Sequence, residues 1–216
     1  MSVIIFDFDF TLADSLVVGL DAYYKAASIL NSKKISEKDF DSIRNNSLSE
    51  NIKYLQLNKF SVFLALAIAK YFFAKNSNQV NIYPEIVDQI KILKQKGYQL
   101  RVLSSNKVST IKKVLANQNL LKYFDSIDSS PSLTKKHKKL IKIIGKYDLQ
   151  RHNMIYVGDE DRDIIASKKV GIKVVAVSWG IGTREKLEQY KPNLIVDNRN
   201  ELAKSLDKVS VLPKEL

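Results

Sequence analysis

The stretch "IIFDFDFTLADS", residues 4–15, decides how the rest of the chain is read. The run "SVIIF" (2–6) is continuous and β-branched, the pattern of a strand buried on both faces. Asp7 and Asp9 follow at once, one residue apart. Like charges that close repel, and burial makes each one costlier. A chain keeps such a pair where a cation sits between the acids or where a proton is shared. The end of the first strand is therefore the place to look for chemistry.

Beyond it, the pattern from Asp14 to about Phe73 is helical throughout. Ser36 with Asp39, and Ser47 with Glu50, have the spacing of helix starts, the latter that of a capping box. After "NIYPE" (81–85), where Pro84 suits a first helical turn, strands and helices alternate. The strand candidates are 98–104, 123–129, 153–158, 172–178 and 193–197. Helical patterns lie near 86–96, 107–119, 136–147, 161–169, 183–190 and 199–208. This alternation predicts an α/β fold, a parallel sheet flanked by helices. The helical block after the first strand is far longer than an ordinary connection and reads as an insert. In such sheets ligands bind beyond the carboxyl ends of the strands.

Composition sets the outer bounds. The chain has 216 residues, 45% hydrophobic and 27% charged, as in ordinary globular proteins. Cysteine is absent, so disulfides and thiolate metal sites are excluded, which fits a reducing compartment. The N-terminus lacks a basic start and its apolar run is broken by Asp7 and Asp9, so no secretory signal is expected and the expected location is cytoplasmic. The longest apolar stretch, "VFLALAIAKYFFA" (62–74), is too short to span a bilayer and reads as a buried helix. The net charge of +12 favours anionic partners. Its lysines are spread along the chain, and a solvated surface is favoured over a nucleic-acid footprint. The densest run, 135–146, has six lysines and no acid, yet carries Leu140, Ile141, Ile143 and Ile144 at helical spacing.

The polar residues at the strand ends form a chemical set. Asp7, Asp9 and Thr11 follow the first strand; Ser104, Ser105 and Asn106 follow the second. Lys135 and Lys136 stand near the helix after the third, and "GDEDRD" (158–163) follows the fourth. Asp7, Asp159 and Asp163 offer hard oxygen ligands suited to Mg²⁺. Ser104 can donate to a phosphoryl oxygen, and a lysine adds positive charge where phosphate is held. One ionised aspartate can attack phosphorus, and the second can protonate the leaving oxygen and later deprotonate water. Other polar residues have blander readings. Ser105 and Asn106 suit helix capping, with substrate contact secondary. Trp179 suits packing, Arg44 a solvated helix, His137 and His152 structural or surface roles. Glu160 and Asp161 are spectators or tuners of the metal site.

In these residues the chain resembles the haloacid dehalogenase (HAD) superfamily, and its tail from Tyr156 resembles the phosphoglycolate-phosphatase-like branch. Its D-x-D-x-[TV] motif matches Asp7, Asp9 and Thr11. The strand ending in Ser or Thr matches "RVLSSN", the lysine falls in "LTKKHKKL", and G-D-x-x-x-D matches "GDEDRD". Phe10 stands where many members have Gly. The resemblance implies a Rossmann-like core, 1–14 and 82–216, with an inserted all-α cap at 15–81. It implies a Mg²⁺-dependent phosphatase acting on a small phosphorylated metabolite through an aspartyl phosphate on Asp7. By carry-over, Asp7 is nucleophile and metal ligand, and Asp9 is acid/base and offers its carbonyl to the metal. Ser104 binds the phosphoryl, Lys136 stabilises it and holds Asp7, and Asp159 and Asp163 serve Mg²⁺. Thr11 shapes the loop and, with Ser105 and Asn106, belongs to the expected phosphate set. Ser104 is preferred over Ser105 because it follows the apolar run directly. Lys136 is preferred over Lys135 because Leu140, four residues on, turns the same face inward. Asp9 ranks dehalogenation low, since that branch lacks it. The alternatives are a sugar-phosphate mutase, or a non-catalytic binder of a polyanion. No membrane partner is expected.

Overall fold

The structure, a computed structural model, describes residues 2–130 and 135–210. The chain divides into two compact units, Met1–Asp14 with Ile82–Leu216, and Ser15–Asn81. In chain order come β1 (Val3–Phe6), β2 (Ala13–Asp14), α1 (Leu16–Ile29), α2 (Glu37–Asn45), α3 (Leu48–Tyr54) and α4 (Lys59–Lys75). Then follow β3 (Asn81–Ile82), α5 (Pro84–Gln95), β4 (Gln99–Ser104), α6 (Val108–Asn117), β5 (Ser126–Ser129) and α7 (Lys136–Lys146). The last elements are β6 (Met154–Gly158), α8 (Asp161–Val170), β7 (Lys173–Val177), α9 (Arg184–Gln189), β8 (Leu194–Val196) and α10 (Leu202–Ser210).

The larger unit is built on a six-stranded sheet in the order β5-β4-β1-β6-β7-β8, with every neighbouring pair parallel. Its central strands, VIIF and MIYVG, are buried at every position, as strands covered on both faces must be. The helices bury one stripe each. On α7, Leu140 and Ile143 face the core while Lys138, Lys142 and Lys146 face water. Pro84 opens α5, and Gly171 ends α8 in the left-handed conformation, φ 72°, where a side chain would be strained. The strand expected over 123–129 is shorter, Ser126–Ser129, because a turn of 3₁₀ helix at Leu121–Tyr123 takes its start.

The helical unit pairs α1 with α4. Val18, Ala22, Ala26 and Ala27 form the buried stripe of α1, and such small side chains let helix axes approach closely. Ser47 caps α3: its hydroxyl accepts from the Glu50 N–H at 3.3 Å, and Glu50 accepts from the Ser47 N–H at 2.6 Å. The stretch 62–74 is helical but is not the buried helix its apolarity suggests. Within it only Phe73 is buried, while Phe63 is 71% and Tyr71 61% exposed. Apolar residues circle α4, so one face packs and the rest does not. Among the described residues no helix is long and apolar enough to cross a membrane.

Leu140 and Ile143 belong to the core cluster that seats α7, the helix that begins with Lys136. Leu140→Ala is expected to lower stability by about 2–5 kcal/mol, measured by denaturant titration. A loss below about 1 kcal/mol would mean that α7 is held by other contacts.

Candidate active site

The expected acids gather at one edge of the sheet. Phe6 is level with Val102 on one side and Val157 on the other, so Asp7 leaves β1 between the ends of β4 and β6. The Asp7 N–H still donates to the Val157 carbonyl at 2.8 Å. From β1 the chain moves outward through β4 and β5, then crosses back to β6, β7 and β8 on the other side. Asp7 and Asp159 therefore flank the point where strand order reverses, the place where open α/β sheets leave a crevice.

Asp7, Asp159 and Asp163 are all buried, and each brings one carboxylate oxygen within 4.8 Å of the others. Lys136, 4% exposed, donates from Nζ to Asp7 Oδ2 at 2.7 Å and to Asp163 Oδ1 at 2.5 Å. Its ammonium lies 5.3 Å from the centre of the Tyr156 ring. Burial alone would lower the Lys136 pKa, but Asp163 and Asp7 outweigh it and hold the group charged, well above the ordinary lysine value. The acids move upward as well. Burial, then Glu160, Asp7 and Asp163, push Asp159 well above the carboxylate range. Burial raises Asp163 to about 6 against the pull of Lys136. Three carboxylates beside one ammonium leave two negative charges uncompensated when all are ionised. A cluster of hard oxygens in that state fits one divalent cation such as Mg²⁺.

Local sequence explains how these groups are aimed. Asp163 occupies the third position of α8, where its Oδ2 accepts from the Glu160 N–H at 3.3 Å. Gly158 makes room for it, since a Cβ there would lie 2.4 Å from Asp163 Oδ2. Asp7 Oδ1 accepts from the Phe8 N–H at 2.7 Å. Phe10 holds φ 58°, a left-handed conformation costing an L residue about 1–2 kcal/mol, which is why Gly suits this position.

Asp9 is held apart from the three-carboxylate group. Its Oδ2 accepts from Asn106 Nδ2 at 2.7 Å and from the Ser104 hydroxyl at 3.4 Å. Ser104 in turn accepts from the Asn106 N–H at 3.1 Å. The capping expected of Ser105 and Asn106 is corrected here: the N-cap of α6 is Lys107, and no side chain caps it. The amide of Asn106 orients Asp9 instead. Ser105 is half-buried, one residue beyond the fully buried Ser104. Lys135 is exposed, while Lys136 enters the cluster. Thr11 is buried and its hydroxyl donates to Asp159 Oδ1 at 2.7 Å. Glu160 pairs with Arg162, and Asp161 lies 3.5 Å from Lys186.

Strand order and acidic cluster together define a Rossmann-like α/β protein with a buried acidic group at its switch point that could hold a hard cation. Residues 4–177 match the haloacid dehalogenase-like hydrolase family, and the chain belongs to it. It is 27% identical to a phosphoglycolate phosphatase of Synechococcus elongatus over 95% of this chain and 97% of that one. It is 22% identical to a pyrophosphatase of Bacillus mycoides over 97% and 99% of the two chains. A haloacid dehalogenase-like hydrolase of Streptococcus pneumoniae shares the fold, with a TM-score of 0.80 at 23% identity, covering 95% of this chain and 98% of that one.

Because the folded pKa of Asp163 lies near 6, above its ordinary 3.8, the metal-free cluster prefers a proton in that window. The stability this contributes is fully present below the ordinary value and is lost as pH rises through about 6. A divalent cation opposes that loss, because it replaces the proton. Mg²⁺ is therefore expected to raise the melting temperature more at about pH 8 than at about pH 5. Equal shifts at the two pH values would contradict the cluster as the binding site.

Proposed function

We propose that the chain is a Mg²⁺-dependent phosphatase that hydrolyses a small phosphorylated metabolite through an aspartyl phosphate on Asp7. The observation that carries the reading is the buried Lys136 ammonium shared between Asp7 and Asp163, with Asp159 beside them. The phosphatase names of the full-length relatives support it. The helical unit Ser15–Asn81 takes the part of the cap domain in this reading.

In the first step an oxygen of Asp7 attacks phosphorus and the bond from phosphorus to the ester oxygen breaks. Asp9, held by Asn106 and Ser104, gives its proton to the leaving oxygen. In the second step Asp9 takes a proton from water, whose oxygen attacks phosphorus. The bond to Asp7 breaks and inorganic phosphate leaves. Lys136 holds Asp7 in place for the attack through its contact with Oδ2 and adds positive charge beside the phosphoryl group. Held by Asp7, Asp159, Asp163 and the Asp9 carbonyl, Mg²⁺ would supply the charge that lets a phosphate approach these acids.

Phosphate release is the deciding measurement, on phosphoglycolate, pyrophosphate, sugar phosphates and nucleotides, with and without Mg²⁺. Asp7→Asn is expected to lose more than about 1,000-fold in kcat with the fold intact by circular dichroism. Near-normal turnover in that variant would overturn the role of Asp7. Asp9→Asn is expected to lose about 100- to 10,000-fold on esters with poor leaving groups, and less on good ones. An equal loss on both would argue against Asp9 as the acid.

A further inference from the structure

The chain after β7 reads "SWGIG" (178–182), and none of these residues takes part in the steps above. Yet the segment lies against Asp159. The Ile181 N–H donates to Asp159 Oδ2 at 2.9 Å, and the Gly182 N–H donates to the Asp159 carbonyl at 3.0 Å. On the other side of the carboxylate, Thr11 donates to Oδ1 at 2.7 Å. Both carboxylate oxygens thus accept from protein donors. A carboxylate oxygen has two lone-pair directions and can take more than one partner. The plane of the carboxylate is thereby set before a cation arrives.

The two glycines are required by space and not by conformation. The left-handed glycines are Gly97 and Gly171, and neither Gly180 nor Gly182 is among them. A Cβ on Gly180 would lie 2.3 Å from the Asp159 Cβ and 2.5 Å from its Oδ2. A Cβ on Gly182 would lie 2.5 Å from the Asp159 carbonyl oxygen. Both contacts are closer than any real carbon tolerates, so only bare backbone can lie there.

Trp179 fastens the segment to the loop that carries the first motif. Its Nε1–H donates to the Thr11 carbonyl at 3.2 Å. The Arg199 guanidinium sits 3.9 Å from the Tyr83 ring and 5.6 Å from the Trp179 ring. Tyr83 in turn donates its N–H to the Leu12 carbonyl at 3.1 Å. The two residues that grip the Asp159 carboxylate, Thr11 and Ile181, are therefore tied to each other through the Trp179 indole.

We infer that Trp179–Gly182 is a positioning element for the divalent cation. Gly180 lets backbone press on Asp159, Ile181 fixes one oxygen, and Trp179 holds Thr11 on the other. The inference rests on the reading of Asp7, Asp159 and Asp163 as a Mg²⁺ site. It assigns to Trp179 and Gly180 a control over cation affinity, although neither touches the cation.

Isothermal titration of the full chain with Mg²⁺ tests it without recourse to turnover. Gly180→Ala is expected to weaken Mg²⁺ binding by about 10-fold or more with the circular dichroism spectrum retained. Trp179→Phe keeps a ring for Arg199 but removes the N–H, and is expected to weaken binding about 3-fold, with substrate KM at saturating Mg²⁺ unchanged. If Gly180→Ala fails to fold, Trp179→Phe decides alone. A lower melting temperature with wild-type Mg²⁺ affinity would mark the segment as merely structural and overturn the inference, leaving the metal site standing. Failure of the wild-type chain to bind Mg²⁺ would overturn the metal site and this inference with it.

Discussion

The ammonium of Lys136, buried between Asp7 and Asp163, is the interaction on which the site depends. Removing one partner from a buried ion pair typically costs about 3–5 kcal/mol, because a charge is left without compensation. Here the compensation is incomplete from the start, since three carboxylates face one ammonium. Burial first, and then the neighbouring acids, raise the Asp159 and Asp163 pKa values. A core built for stability alone would bury apolar groups in their place. The cluster is therefore intelligible as a site held ready for added positive charge.

Topology makes such a cluster possible at small cost in sequence. Parallel strands all end at the same edge, so residues far apart in the chain meet there without long reaches. Asp7 meets Lys136 across 129 positions, and Thr11 meets Asp159 across 148. The helical unit leaves the core just after the first motif and the chain returns at β3, which pairs with β2 in a small sheet of its own. The large insertion thus contributes no strand to the main sheet, in which β1 lies between β4 and β6.

The parts of this arrangement that were legible in the sequence share one trait: their signal is local. β1 and β6 announce themselves as unbroken apolar runs. Lys136 could be preferred over Lys135 because Leu140 lies on the same helical face, and the structure buries both. What was not legible depends on partners distant in sequence. Asn106 looks like a cap beside a strand end, and only the fold brings its amide to Asp9, 97 residues away. Gly180 and Gly182 look like ordinary turn glycines until Asp159 is found against them. The α4 helix misleads in the opposite sense. Its apolar residues have no periodicity that separates the packed face from the exposed Phe63 and Tyr71.

The overall charge of +12 does not by itself make the site receptive to phosphate. Exposed charges are screened within about 10 Å at ordinary salt, whereas the buried acids act on the reacting centre at contact distance. Among the described residues, it is Lys136 whose charge is placed between Asp7 and Asp163. Under the phosphatase reading, one ammonium cannot offset both three carboxylates and an incoming phosphate dianion. Substrate affinity must then rise and fall with cation occupancy, so the groups that set cation affinity set substrate affinity too. That linkage is reciprocal, since a bound phosphate must favour the cation by the same factor. The orientation of Asp159 by Thr11 and Ile181 accordingly matters beyond the metal. It is a point at which backbone packing after β7 reaches the chemistry at the end of β1.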